Sequence, residues 1–416
     1  MKWQFLATGL LAVSVASGVS AQEAVKETFS PSGIVAKMGG YRPIRAEMDQ
    51  QEDIVSKAPA DLANPKYGYI EQGDKKWAFI LDEPEEGEAK LYVDTNGDGD
   101  LTNDPESSWK SEDRDGLTFY SGETKIQLAE GKVGAVNAYR FDPTDSRREQ
   151  LKNTLLYYFD FGTEYTVRLD EQEFDFAAAG MLSNGDAVSV DRDGNGKLSR
   201  NYERIELGKP FNFTGTTYLL SADDGTLTLA KADEELPQAP MPPDLSIGKP
   251  ALNFSAQTID GETVNFPGDY KGKIVMVDFW ATWCGPCVGE IPNMKEAYAD
   301  WHDQGFEILG ISFDQEDMTE KLQEYRKDKE LPWPQIYEGK GWNTSLGNQH
   351  DVSAIPFVML VDGDSGEILA LSRQLRGKGL TKAIKKQLIV KGLVEASDDD
   401  KEDEDDDSEG EEGGGK

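Results

Sequence analysis

Cys284 and Cys287 stand three residues apart in Trp283-Cys284-Gly285-Pro286-Cys287, and no other cysteine occurs in the 416 residues. A loop this short gains little chain-entropy stabilisation from a bridge, so stapling explains the pair poorly. A structural zinc site wants four ligands, and the two histidines, His302 and His350, have no metal-ligand spacing to the cysteines. Thiol-disulfide exchange remains: one thiolate attacks a disulfide and the second thiol displaces the mixed disulfide that results.

The elements that must position this pair are legible nearby. Residues 274–279 form an apolar, strand-like run, and residues 287–303 have the length and composition of a helix. Cys284 therefore falls at a helix N-terminus, where unpaired N–H groups and the helix dipole favour a thiolate. This makes Cys284 the expected nucleophile and Cys287, one turn in and shielded, the resolving thiol. Further strand-like runs at 306–311 and 357–361 alternate with helix-length segments at 318–329 and 380–393, the pattern of an α/β domain with a partly parallel sheet.

The segment Val277-Asp278-Phe279-Trp280-Ala281-Thr282-Trp283-Cys284-Gly285-Pro286-Cys287, with Ile247-Gly248-Lys249-Pro250-Ala251 upstream, resembles the thioredoxin superfamily and, within it, the TlpA/ResA-like periplasmic branch. The resemblance covers residues 244–393 and implies a thioredoxin-like fold with a redox-active Cys284–Cys287 disulfide. Asp278 matches the family's buried acid, whose raised pKa suits it to take the proton of Cys287. Pro356, in Ile355-Pro356-Phe357, matches the family's cis proline, which turns the Ile355 backbone towards a substrate chain and permits strand-like pairing. Glu290 and Pro292 complete Cys-x-x-Cys-x-x-Glu-x-Pro, which places Glu290 near the site to tune proton movement. Trp283 and Ile355 are expected to touch substrate. The aromatics Trp333, Tyr337 and Trp342 lie where this branch carries an insertion; they either line a groove or pack internally.

The rest of the chain supplies context. Lys2, an apolar stretch over residues 5–15 and Val19-Ser20-Ala21 read as a signal peptide cleaved after Ala21, which places the protein in the periplasm or another extracytoplasmic space. No later stretch is long enough to span a bilayer. Residues 22–61 are polar and open to a helix or an irregular arm. From 67 to 231, short aromatic and β-branched runs such as Trp77-Ala78-Phe79-Ile80-Leu81 predict a mainly antiparallel β domain, taken as 22–232. A Pro-rich linker, 233–243, leads to the thioredoxin-like domain at 244–395, and residues 396–416 form an acidic, Gly-rich tail expected to be disordered.

Within the β domain one motif occurs twice. Asp94, Asn96, Asp98, Gly99 and Leu101 take positions 1, 3, 5, 6 and 8 of a calcium loop, with Asp100 as a further oxygen donor; Asp191, Asp193, Asn195, Gly196 and Leu198 repeat the pattern. Alternating oxygens converge on a hard cation, Gly permits the bend, and the apolar residue is expected to pin the loop. Position 12 departs from the EF-hand: Pro105 and Tyr202 stand there, with Glu106 and Glu203 one residue later. A structural calcium is one reading and metal-free Asx-Gly turns the other.

With 78 acidic against 43 basic residues the net charge is −35, which disfavours nucleic acid and anionic lipid as partners, and no basic patch is evident to offset it. The expectation is therefore an exported thiol-disulfide oxidoreductase, with Cys-Gly-Pro-Cys resembling the reducing members. Its partners would be disulfide-containing proteins and an upstream thiol donor, and its redox chemistry would need no cofactor. The alternatives are a calcium-stabilised extracellular binding protein using the fold as a scaffold, or a peroxiredoxin-type peroxidase, for which the Pro-x-x-x-Thr-x-x-Cys pattern is missing.

Overall fold

The computed structural model describes residues 24–129 and 131–397. The expected signal peptide, residues 1–21, and the expected tail from residue 398 onward lie outside the described residues. No helix among the described residues is long and apolar enough to cross a membrane. The chain divides into two compact units, one running through Leu198 and including Glu203–Pro240, the other comprising Ser199–Tyr202 and the residues from Met241 onward.

The first unit is built from antiparallel sheets, the largest ordered Ile44–Glu47, Thr154–Phe159, Lys132–Phe141, Leu117–Ala129, Ser108–Arg114. Alternation does the work here: in Leu117–Ala129 the residues Thr124, Ile126 and Leu128 turn inward while their neighbours stay exposed, which gives a sheet one dry face. The stretch 24–61 is more ordered than its polarity suggests. Val25–Ser30 and Ile44–Glu47 each pair antiparallel at the edge of a sheet, with the short helix Ile34–Met38 between them. Backbone pairing at an edge asks little of side-chain hydrophobicity, so local composition carried no signal of it. Arg140 is fully buried and is satisfied by Glu83 through two nitrogens, at 2.8 and 3.3 Å, and by the carbonyls of Lys152 and Thr154. Without those acceptors a buried guanidinium would cost several kcal/mol, on the order of 3–5.

The second unit holds a five-stranded sheet ordered Gln335–Tyr337, Phe306–Ser312, Ile274–Trp280, Phe357–Asp362, Ile368–Leu371. The first three strands run parallel and the last two antiparallel to their neighbours. Ile274–Trp280 and Phe306–Ser312 are buried at every position, which explains why they read as continuous apolar runs rather than alternating ones. Phe279, Phe306 and Phe313 are completely buried, and each contributes about 1.5–3 kcal/mol by leaving water. The Gly285–Trp301 helix buries Ile291, Met294 and Ala297 in this core, and the Lys378–Val390 helix packs on it through Ile384 and Leu388. This is the thioredoxin-like arrangement expected for the C-terminal part. Two X-Pro bonds are cis, Ile355–Pro356 and Phe266–Pro267; nothing in the local sequence pointed to the second.

Candidate active site

The central strand ends at Trp280, and after three intervening residues Cys284 caps the Gly285–Trp301 helix. The Cys287 N–H donates to Cys284 Sγ at 3.2 Å, so the first sulfur sits on one of the helix's otherwise unpaired donors. The two sulfurs are bonded, 1.98 Å apart. In this oxidised form the cysteines are 5% and 4% exposed, so overall shielding does not distinguish them as the sequence reading supposed; position at the cap does. An attacking thiolate approaches along one S–S axis, and residue-averaged exposure is blind to that direction.

Asp278, two residues before the end of the Ile274–Trp280 strand, lines the same interior space as Cys287. A cavity of about 10 Å³, on the order of one water molecule, is lined by Asp278, Cys287, Glu290, Pro356, Leu375 and Arg376 among others. Asp278 is 6% exposed. Burial first, and the nearby negative charge of Glu290 second, push its pKa up to about 7. A carboxyl titrating there is poised to exchange a proton with a thiol at neutral pH. Glu290 is half-buried, and its Oε2 accepts from Asn293 Nδ2 at 2.8 Å and from the Gly377 N–H at 2.9 Å.

Pro356 presents its carbonyl to Arg376, whose Nη2 donates to it at 3.1 Å, and Ile355 is half-buried beside it. Trp283 is 51% exposed and faces Trp342 with ring centroids 6.1 Å apart, and Trp342 in turn meets Phe313 edge-on. The aromatics of the insertion thus divide: Trp333 is core, whereas Trp342 stands beside the exposed tryptophan of the redox motif. The structure brings Cys284, Cys287, Asp278, Glu290, Pro356, Ile355 and Trp283 into one region of the second unit.

One residue here was not singled out from sequence. Asp314 is completely buried at the end of the neighbouring strand, and its carboxylate accepts from the Thr282 N–H, from Thr282 Oγ1 at 2.6 Å and from Ser312 Oγ at 2.7 Å. It fastens the turn that leads into Cys284. Its only signal was an acid closing an apolar strand, and 32 residues separate it from the turn it holds.

The two calcium-type loops differ. In the first, Asp94 accepts from the N–H groups of Gly97, Asp98 and Gly99, Asn96 from Asp98, and Asp98 from Asp100, while Asp100 pairs with Lys57 at 3.1 Å. Leu101 is buried as expected. In the second, carboxylate oxygens of Asp191, Asp193 and Glu203 lie within 4.8 Å of one another, the one such group of three among the described residues. Asn195 caps the Lys197 N–H and donates to Asp193. Leu198 does not pin this loop: it is 59% exposed, and the buried residue that closes the loop is instead Glu203.

Residues 247–370 match the model of the AhpC/TSA family. The thiol-disulfide oxidoreductase ResA of Bacillus thuringiensis subsp. konkukian is 30% identical over 142 residues, which are 34% of this chain and 79% of that protein. The thioredoxin-like protein YneN of Bacillus subtilis is 30% identical over 116 residues, 28% of this chain and 65% of its own length. Among solved structures, the thioredoxin domain of a thiol-disulfide oxidoreductase from Bacteroides vulgatus is 29% identical and covers 35% of this chain and 99% of its own, with a TM-score of 0.31.

Proposed function

Because this chain belongs, through its C-terminal unit, to the family of thiol-disulfide oxidoreductases that includes ResA, we propose that it works outside the cytoplasm as a reductase of protein disulfides. The observation that carries this reading is the Cys284–Cys287 pair at a helix N-cap, with a buried carboxyl of raised pKa in the cavity behind Cys287. The apolar stretch before Ala21 supports export.

The chemistry follows from the geometry. In the reduced protein the Cys284 thiolate, favoured by the helix N-terminus, attacks a substrate disulfide and expels one substrate thiolate. Asp278 takes the proton from Cys287, whose thiolate attacks Cys284 Sγ, forms the intramolecular disulfide and releases the second substrate thiolate. Two electrons pass to the substrate, and an upstream thiol donor must restore the dithiol. Asp314 holds the turn, and the Ile355 backbone offers a strand-like seat to the substrate chain. The wild-type chain is expected to accelerate insulin reduction by dithiothreitol; turnover no faster than the donor alone refutes the reading.

For the first unit we propose a structural calcium ion in the second loop, on Asp191, Asp193 and Glu203, with Asn195 alongside. The convergence of three carboxylates favours this site, since a hard cation offsets their mutual repulsion. With affinities typical of extracellular modules, about 10⁻⁴–10⁻³ M, 10 mM calcium stabilises by about 1–3 kcal/mol and raises the melting temperature by several degrees. Asp191→Asn should abolish most of that shift. Identical melting in calcium and in chelator removes the site.

A further inference from the structure

A chain of net charge −35 contains one basic stretch that interrupts its acidic character. Between Glu367 and Glu395 it carries seven lysines and arginines and no acidic residue. The run spans the end of the Ile368–Leu371 strand, the turn after it and the Lys378–Val390 helix. Its first charges, Arg373 and Arg376, are exposed, and Arg376 lines the cavity behind Cys287.

Three contacts tie that turn to the site. Arg376 Nη2 donates to the carbonyl of Pro356, the Val358 N–H donates to Ser372 Oγ at 2.8 Å, and the Gly377 N–H donates to Glu290. Leu375 and Arg376 also line the cavity behind Cys287. The turn is therefore held against the segment on which a substrate chain would lie. Arg376 spends only part of its fork on the proline carbonyl, and Arg373 has no ion-pair partner among the described residues. Two guanidinium groups on the turn that borders this cavity, Arg376 in its lining and Arg373 three residues before it, are available to a ligand with planar anions, the geometry to which arginine is best matched.

Resting on the reductase reading above, we infer that this turn is a docking surface for acidic polypeptide: the protein selects partner disulfides or thiols whose cysteine is flanked by Asp or Glu. The charge distribution argues for a short acidic segment over a membrane or nucleic acid. At about 0.15 M ionic strength charges are screened beyond about 8 Å, so a few carboxylates at the site feel the arginines and little of the distant negative charge. An extended polyanion would meet the acidic surface as well.

The test uses two symmetric disulfide-linked peptides, one with Asp flanking the cysteine and one with Asn, each reduced by the full chain with dithiothreitol. At about 0.15 M salt the wild type should favour the Asp peptide about five- to tenfold in kcat/KM, as two partly exposed charge pairs allow. Arg373→Glu should bring the ratio to about one or below, and 1 M salt, with a Debye length of about 3 Å, should compress it likewise. Equal rates for the two peptides in the wild type, or a ratio that Arg373→Glu leaves untouched, overturn the inference. If a preference emerges only when Asp and Glu beyond residue 397 are changed to Asn and Gln, the chain's own acidic end holds the arginines and the partner assignment is wrong. Turnover of the Asn peptide keeps the two readings apart: if it fails, the reductase function itself is at fault.

Discussion

A Cys287→Ser variant recovered from cells under non-reducing conditions should carry partner proteins joined to Cys284 through disulfides, while wild type and Cys284→Ser carry none. The reason lies in the order of the two steps. Cys284 caps the helix and reaches the substrate first; the resulting mixed disulfide is released only when Cys287 attacks it from one turn within the helix. Serine at 287 cannot attack, so the intermediate accumulates. Serine at 284 cannot form it. Either change removes a group for which nothing substitutes, and turnover of insulin should fall by about 10³-fold or more in both. Mass spectrometry of the trapped bands names substrates and donor together. Accumulation on Cys287 in the Cys284→Ser variant, with none in the reverse case, would invert the assigned roles.

Asp278→Asn should make the protein slower and, at alkaline pH, more stable. As the base for Cys287, a carboxyl titrating near 7 contributes on the order of 10²–10⁴ in rate, and its ionisation gives the release step a rise with pH centred near that value. Asparagine loses both the rate and the inflection. The stability effect has the opposite sign. The folded-state pKa, about 7, lies above the unfolded value of about 3.9. Well below pH 4 the group is protonated in both states and its contribution is fully present. As pH rises towards 7 the folded state retains a proton that the unfolded state has given up, and stability is lost; above 7 the cost of ionising a buried carboxyl remains in full. Asn never ionises, so its advantage over wild type should grow between pH 4 and pH 8 by up to about 4 kcal/mol. Denaturant unfolding of the oxidised proteins at the two pH values measures this. An advantage that does not change with pH means that Asp278 ionises without cost and is a poor candidate for the base.

How much of the site was readable in advance depended on how far along the chain its parts lie. The cysteine pair, the strand before it and the helix after it are consecutive, and each rests on a rule about neighbours: apolar runs for a doubly covered strand, a cap for a helix start. Asp278 belongs to the same run, and only the resemblance to thioredoxins marked it as different from the apolar residues beside it. Glu290 was expected near the site by the same route, but the Gly377 N–H it accepts from is 87 residues away. Asp314 went unremarked because an acid at a strand end is ordinarily solvated, and here the turn at Thr282 closes over it. Leu198 illustrates the converse. Its position in a repeated motif promised burial, but pinning needs a core opposite the loop, and the second loop turns Glu203 inward instead.

By itself the sequence determined what is local or compositional: two thiols with no other cysteines, a helix to activate the first of them, alternating strands in one part and βα units in another, and a strong negative charge. Only the tertiary structure decided which distant residues share the space around the disulfide. It set Asp278 and Glu290 about one small cavity, Trp342 beside Trp283, and a basic turn against Pro356. The physical reason is that burial, and with it the pKa of a carboxyl or the reach of an arginine, depends on what packs from the other side, and periodicity along a chain carries no record of that.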